Sequence, residues 1–169
     1  MKKLNKNGFT LVELLAVIVI LAVVILVAVN NVIPQMNKAK AGAFKTEALS
    51  FLDGAEQYYT SQQMTGKDFN ETNKAGDKLE GVTIKYLVDN KYVKSADIDK
   101  YEGCIKYDEV NGKFQIQLWS NSYITAKGNG NYVDARDLSD FNGEVSTSSV
   151  IRSTSGASRT NYECGKLTP

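Results

Sequence analysis

Glu13 is the one ionisable side chain between Phe9 and Val29, a stretch whose only other polar member is Thr10. An ionised carboxylate taken into a bilayer costs about 2.5–3.5 kcal/mol on insertion scales. A segment with only anchoring to do would carry Leu or Val at that position. The chemistry that removes the cost is an ion pair, so Glu13 calls for a cationic partner. No other constellation competes. The chain has no histidine, the commonest general base and a frequent metal ligand. Nucleophile–histidine pairs and zinc-ligand spacings are therefore missing. Asp97 and Asp99 do not have EF-hand spacing and read as a solvated loop. Gly128-Asn129-Gly130-Asn131 lacks the third glycine and the following helix of a phosphate loop, so it reads as a turn. No enzyme, cofactor or metal is expected.

The elements that must position Glu13 come next. The 21 residues from Phe9 to Val29 would reach about 31 Å as a helix, near the thickness of a bilayer core. Lys2, Lys3 and Lys6 precede them with no acid among them. That arrangement keeps the N-terminus cytoplasmic and sends the body outward. A secretory signal peptide also begins this way. However, its apolar region runs about 7–15 residues and ends in a small-x-small site. Here the run is longer, and Ala28-Val29-Asn30 fits such a site poorly. A plain single-span anchor leaves Glu13 unexplained.

The 169 residues suit one domain plus an anchor. The formal net charge is +1; without the three leading lysines it becomes 17 basic against 19 acidic residues. A near-neutral body lacks the basic face that nucleic-acid binding needs, and no nucleic-acid site is visible. Its aromatic residues read as packing surface rather than base-stacking platforms. The two cysteines, Cys104 and Cys164, favour a disulfide in an exported chain. Two buried free thiols are the alternative.

Lys2-Lys3-Leu4-Asn5-Lys6-Asn7-Gly8 followed by Phe9-Thr10-Leu11-Val12-Glu13-Leu14 resembles a type IV prepilin leader and cleavage site. The shared features are a short basic leader, an obligatory Gly, an aromatic first mature residue and a Glu five residues after the cut. The resemblance covers roughly the first 35 residues. It implies cleavage between Gly8 and Phe9 and N-methylation of Phe9 by a membrane-embedded prepilin peptidase. The new α-ammonium at Phe9 would then meet Glu13 of a neighbouring subunit. Two charges about 4 Å apart attract by about 4 kcal/mol at an effective dielectric of 20. Such a pair neutralises both groups and fixes axial register. The resemblance also implies a single-span precursor in the cytoplasmic membrane, an assembly platform, and a homopolymeric extracellular filament. The implied fold is α+β: a long N-terminal helical spine packed on a C-terminal antiparallel sheet.

Beyond the apolar run, Asn30, Asn31 and Pro34 predict a kink or a locally extended stretch. A helix end followed by a separate helix is the alternative. Phe44, Ala48, Phe51, Leu52, Ala55, Tyr58 and Tyr59 then recur at helical spacing and predict one packed face. Gly42 and Gly54 weaken this helix by about 1 kcal/mol each, and either is a place for close backbone approach. The expected division is a leader at 1–8, an apolar half-helix at 9–33 and an amphipathic half at 34–62. A connecting region with a short helix follows at 63–103, then the sheet with a C-terminal loop region at 104–169.

Residues 65–81 read as a polar loop containing the Asn70-Glu71-Thr72 sequon. Thr83 predicts a cap for a helix over 84–90, with a strand over 82–88 as the rival. Cys104–Asp108 and Phe114–Trp119 flank Asn111-Gly112, a hairpin signal. Phe114, Ile116 and Leu118 should face the helix. Residues 123–126 and 132–133 follow as shorter strands. The Ser/Thr-rich stretch 145–160 reads as an exposed loop, open to O-linked sugar. The expected function is a type IV pilus subunit serving adhesion, surface motility or aggregation. The rivals are a pseudopilin of a type II secretion or DNA-uptake system, a minor tip pilin, and a membrane-anchored binding domain that never polymerises.

Overall fold

The computed structural model describes residues 10–94, 98–125, 132–139, 150–152, 162 and 164–167. Lys2, Lys3, Lys6, Gly8, Phe9, Asp97 and the 128–131 turn lie outside them, as does most of 145–160. The chain divides into two compact units, Met1–Asn37 and Lys38–Pro169.

The first unit consists of the apolar part of α1, which spans Leu11–Thr65. Residues 30–34 are helical, so the locally extended stretch and the helix end considered for this region do not form. The two asparagines keep their polarity inside the helix. Asn30 Nδ2 donates to the Leu26 carbonyl and Asn31 Nδ2 to that of Val27, both at 3.3 Å. Pro34 offers no N–H to the preceding turn, and the helix continues around it.

The second unit is an α+β fold. Its sheet runs β1–β2–β3–β4–β6, with β5 also paired to β3. The ranges are β1 Val82–Thr83, β2 Tyr101–Asp108, β3 Lys113–Ser120, β4 Tyr123–Thr125, β5 Val133–Asp134 and β6 Val150–Arg152. Every pairing is antiparallel. Asp108 opposes Lys113 across the hairpin. The intervening turn needs Gly112 at φ +63, and the Asp108 carboxylate accepts from the Val110 and Asn111 amides.

Period-two alternation decides what faces α1. Gly103, Ile105 and Tyr107 oppose Leu118, Ile116 and Phe114, so these six share one face. That face meets Phe44, Phe51, Ala55 and Tyr58 of α1 in a single buried cluster. Aromatic rings fill its outer end. Tyr58 lies 5.2–5.6 Å from Phe69, Tyr86 and Tyr92, and Tyr59 lies 4.6 Å from Tyr107. Such pairs add about 0.5–1.5 kcal/mol each beyond the area they bury.

The 82–90 segment divides between the two readings. Val82 and Thr83 pair with β2, and Thr83 then caps α2, Ile84–Asp89, accepting from the Tyr86 amide. Glu71 orients that cap, its Oε2 receiving the Thr83 amide and hydroxyl at 2.9 and 2.7 Å. The middle of the sequon is thus a structural carboxylate. The expectation of an exposed loop throughout 145–160 is corrected at β6, where Val150 is fully buried and the strand extends β4. Three residues are too few to show a period. A short helix, α3 (Ala135–Ser139), also went unexpected.

Candidate functional site

The candidate site is the start of α1. Thr10 stands just before the first helical residue, and Glu13 is third within the helix. The Thr10 amide and hydroxyl both donate to Glu13 Oε2, at 2.8 and 2.9 Å. In return the Glu13 amide donates to Thr10 Oγ1 at 3.3 Å. This reciprocal arrangement is a capping box, which satisfies N–H groups that a helix start leaves unpaired. Sequence reasoning treated Glu13 as a partner for another subunit and missed its partner within the chain. The Thr-x-x-Glu spacing at residues 10 to 13 was the signal.

The box leaves a role for a second partner. Both Thr10 donors converge on Oε2, so a cation can still approach Oε1. The carboxylate is exposed and makes no ion pair among the described residues. Around it, the large apolar side chains from Leu11 to Met36 are exposed, Leu11 at 80% and Leu26 at 69%. The helix has an 18-residue window of mean hydropathy 3.3 with none of it buried. It is long and apolar enough to cross a membrane once. A surface of this kind calls for lipid or another apolar partner.

Gly8 and Phe9, the expected cleavage pair, lie outside the described residues. Residues 3–29 match the prokaryotic N-terminal methylation motif. The match takes in Gly8, Phe9, Thr10 and Glu13 together, and it supports a precursor of the type IV pilin or pseudopilin kind. The motif supports methylation and leader cleavage, and the helix beginning at Leu11 is apolar enough to anchor a precursor. No curated protein and no solved structure is found to match the chain.

The remaining singled-out residues serve the second unit. Cys104 and Cys164 form a disulfide across 60 residues, with Cα atoms 5.0 Å apart. Next to it the C-terminal segment is held to residues 78–80. The Glu80 amide donates to the Gly165 carbonyl at 2.7 Å, and the Leu167 amide to that of Lys78 at 2.9 Å. Lys166 Nζ meets Asp77 Oδ2 at 2.7 Å. Hydrogen bonding from Lys166, then from Asn73, holds the Asp77 carboxyl below its ordinary value. The Tyr58 hydroxyl is shifted the other way, upward, first by burial and then by Tyr86. It remains a neutral packing group.

Proposed function

We propose that this chain is the structural subunit of an extracellular type IV pilus filament, with no catalytic role of its own. The supporting observation is that the methylation motif overlaps the helix that carries the exposed apolar surface and Glu13. After cleavage at Gly8–Phe9, the helix would leave the cytoplasmic membrane through an assembly platform. Its apolar surface would then be buried against other copies, passing from one apolar environment to another. Subunits would meet through different surfaces, so the polymer stays open and grows. Adhesion, twitching motility or aggregation would be the work of the assembled, secreted fimbrium.

A sheet tied by a disulfide to a C-terminal segment that is itself bonded to residues 78–80 suits exposure outside the cell. The test is intact-mass analysis of fibres sheared from the native cell. The expected species begins at methylated Phe9, carries the Cys104–Cys164 bond and is abundant in the fibres. A processed chain confined to the membrane fraction would favour a pseudopilin instead. A chain retaining its first eight residues would overturn both.

A further inference from the structure

Charge at the exported end of the apolar run works against what topology needs. No acid lies between Glu13 and Glu47, while Lys38, Lys40 and Lys45 fall just past the run. Lysines within about 15–20 residues of a span favour the cytoplasmic side. On the exported side these three oppose the orientation favoured by Lys2, Lys3 and Lys6, so they call for a role of their own. The exposed apolar surface ends at Met36. From Leu11 to Met36 is 26 residues, about 39 Å of helix against about 40–45 Å for a bilayer with both headgroup layers. Lys38 and Lys40 follow Met36 by two and four positions. That tether is at most about 14 Å, so they stay beside the exported headgroups whatever the angle of the second unit.

Within the second unit, Lys40 and Lys100 line one cavity of about 250 Å³, shared by α1, the start of β2 and the β3–β4 turn. Both lysines are exposed. Phe44 and Tyr101, with rings 6.2 Å apart, line it as well. Ser120 shapes the turn. Its Oγ accepts from the Tyr123 amide and donates to the Tyr123 carbonyl, both at 3.0 Å. Asn121 and Ser122 are left exposed and line the cavity. No carboxylate lines it among the described residues. Asp99, next to Lys100, lines a different cavity with Glu102. Two ammonium groups with an amide and a hydroxyl form a donor set suited to phosphate, and the aromatic carbon beside them suits the apolar part of the same molecule.

We infer that this cavity takes the phosphate of an anionic phospholipid from the exported leaflet while the precursor is anchored. A free anion would satisfy the lysines too. The lipid is favoured because the tether to Met36 keeps Lys40 beside a surface dense in such groups. The inference rests on membrane anchoring of the precursor and holds for a filament subunit and a pseudopilin alike. It adds a contact that a subunit must break on leaving the bilayer.

The test uses the full chain in vesicles of phosphatidylcholine, or of phosphatidylcholine with about a third phosphatidylglycerol. Acylation of each lysine by a neutral amine-reactive ester is followed by mass spectrometry. Lys67 is the internal reference: it is exposed and lies past the end of α1 at Thr65, which is about 38 Å of helix beyond Lys40. Relative to Lys67, Lys40 and Lys100 are expected to react about fivefold more slowly in the anionic vesicles, and to regain the neutral-vesicle rate in about 1 M salt. K40Q should release Lys100 in the anionic vesicles, because the two lysines hold one phosphate between them. Equal rates in the two kinds of vesicle overturn the inference. So does a K40Q chain whose Lys100 stays slow, since a diffuse surface attraction then accounts for the protection. Equal slowing by inorganic phosphate in neutral vesicles overturns the lipid assignment in favour of a simple anion site. A chain that floats with neither kind of vesicle removes the anchoring itself.

Discussion

The same substitution at two glycines of α1 should have opposite effects. Glycine costs a helix interior about 1 kcal/mol relative to alanine, so Gly→Ala gains that amount wherever space allows. At Gly42 an added Cβ meets nothing within 4 Å. At Gly54 it would overlap Val93 Cγ2 and lie 3.1 Å from the Tyr92 carbonyl oxygen. Neither neighbour is free to retreat. Val93 is in the buried cluster. Tyr92 is tied to α1 by a 3.0 Å hydrogen bond between its hydroxyl and Ser61 Oγ, and by ring contact with Tyr58. Overpacking of this kind costs about 1–3 kcal/mol. The propensity gain is common to both variants, so the difference between them isolates the packing cost. For a unit of this size, 1–3 kcal/mol corresponds to roughly 4–12 °C in Tm. Thermal unfolding of the two variants in detergent, followed by circular dichroism, should rank G42A above wild type and G54A below it. Equal Tm values for G42A and G54A would refute the claim that Gly54 is there for close approach.

Removing the disulfide with C104A/C164A should lower the urea midpoint, through a loss of up to about 4 kcal/mol of unfolding free energy for a 60-residue loop in the chain-entropy account. An unchanged midpoint would show that the 164–167 pairing suffices without it. Lys91, just past the Asn90 cap of α2, sits at φ 65, where glycine is usual, with the Tyr92 amide bonded to the Leu87 carbonyl and the Lys91 amide to that of Val88. K91G should therefore raise Tm by the few degrees that about 1 kcal/mol of relieved strain supplies. The Asp77 carboxyl is depressed in the folded state. Its contribution is thus full above the ordinary carboxylate value, about pH 4, and is lost as pH falls below it. Amide protection at Glu80 and Leu167 should drop in that acid range in wild type and vary less in D77N. A wild-type profile no steeper than that of D77N would remove Lys166–Asp77 from the bonds that tie down the C-terminal segment.

Legibility followed the length of each pattern. The apolar run, the packed stripe of α1 and the β2–β3 hairpin each repeat a period several times, so one face could be assigned before any contact was known. Phe44, Phe51, Ile116 and Leu118 lie where that period puts them. Elements of two to five residues, such as β1, α3 and β6, carry too few repeats and exist because the longer strands offer them an edge or a cover. Gly54 and Gly42 look alike in sequence. Only the path of Tyr92–Val93, 38 residues later in the chain, separates them. At the helix start, the carboxylate's energetic cost was apparent from composition. Its local partner was overlooked because a search for opposite charge passes over a threonine.

That threonine changes how Glu13 must be tested. Glu13→Ala removes two things at once: the negative charge, and the acceptor for the Thr10 amide and hydroxyl. Poor assembly of E13A would therefore not distinguish an ion pair between subunits from a frayed helix start. Glutamine separates them, because its carbonyl can serve the capping box as a carboxylate does while carrying no charge. A lost cap is worth about 1 kcal/mol. A gross attraction of about 4 kcal/mol is expected between Glu13 and an ammonium about 4 Å away at an effective dielectric of 20. Part of that is offset by desolvation. If charge dominates, E13Q should be processed normally and assemble nearly as poorly as E13A, while T10V, which keeps the carboxylate and loses only the hydroxyl, should assemble well. Fibre yield from sheared cells reads all three. The opposite order, with E13Q fibres abundant and T10V fibres scarce, would mean that the carboxylate is retained to start its own helix. The pairing with a neighbour's amino terminus would then have no remaining support.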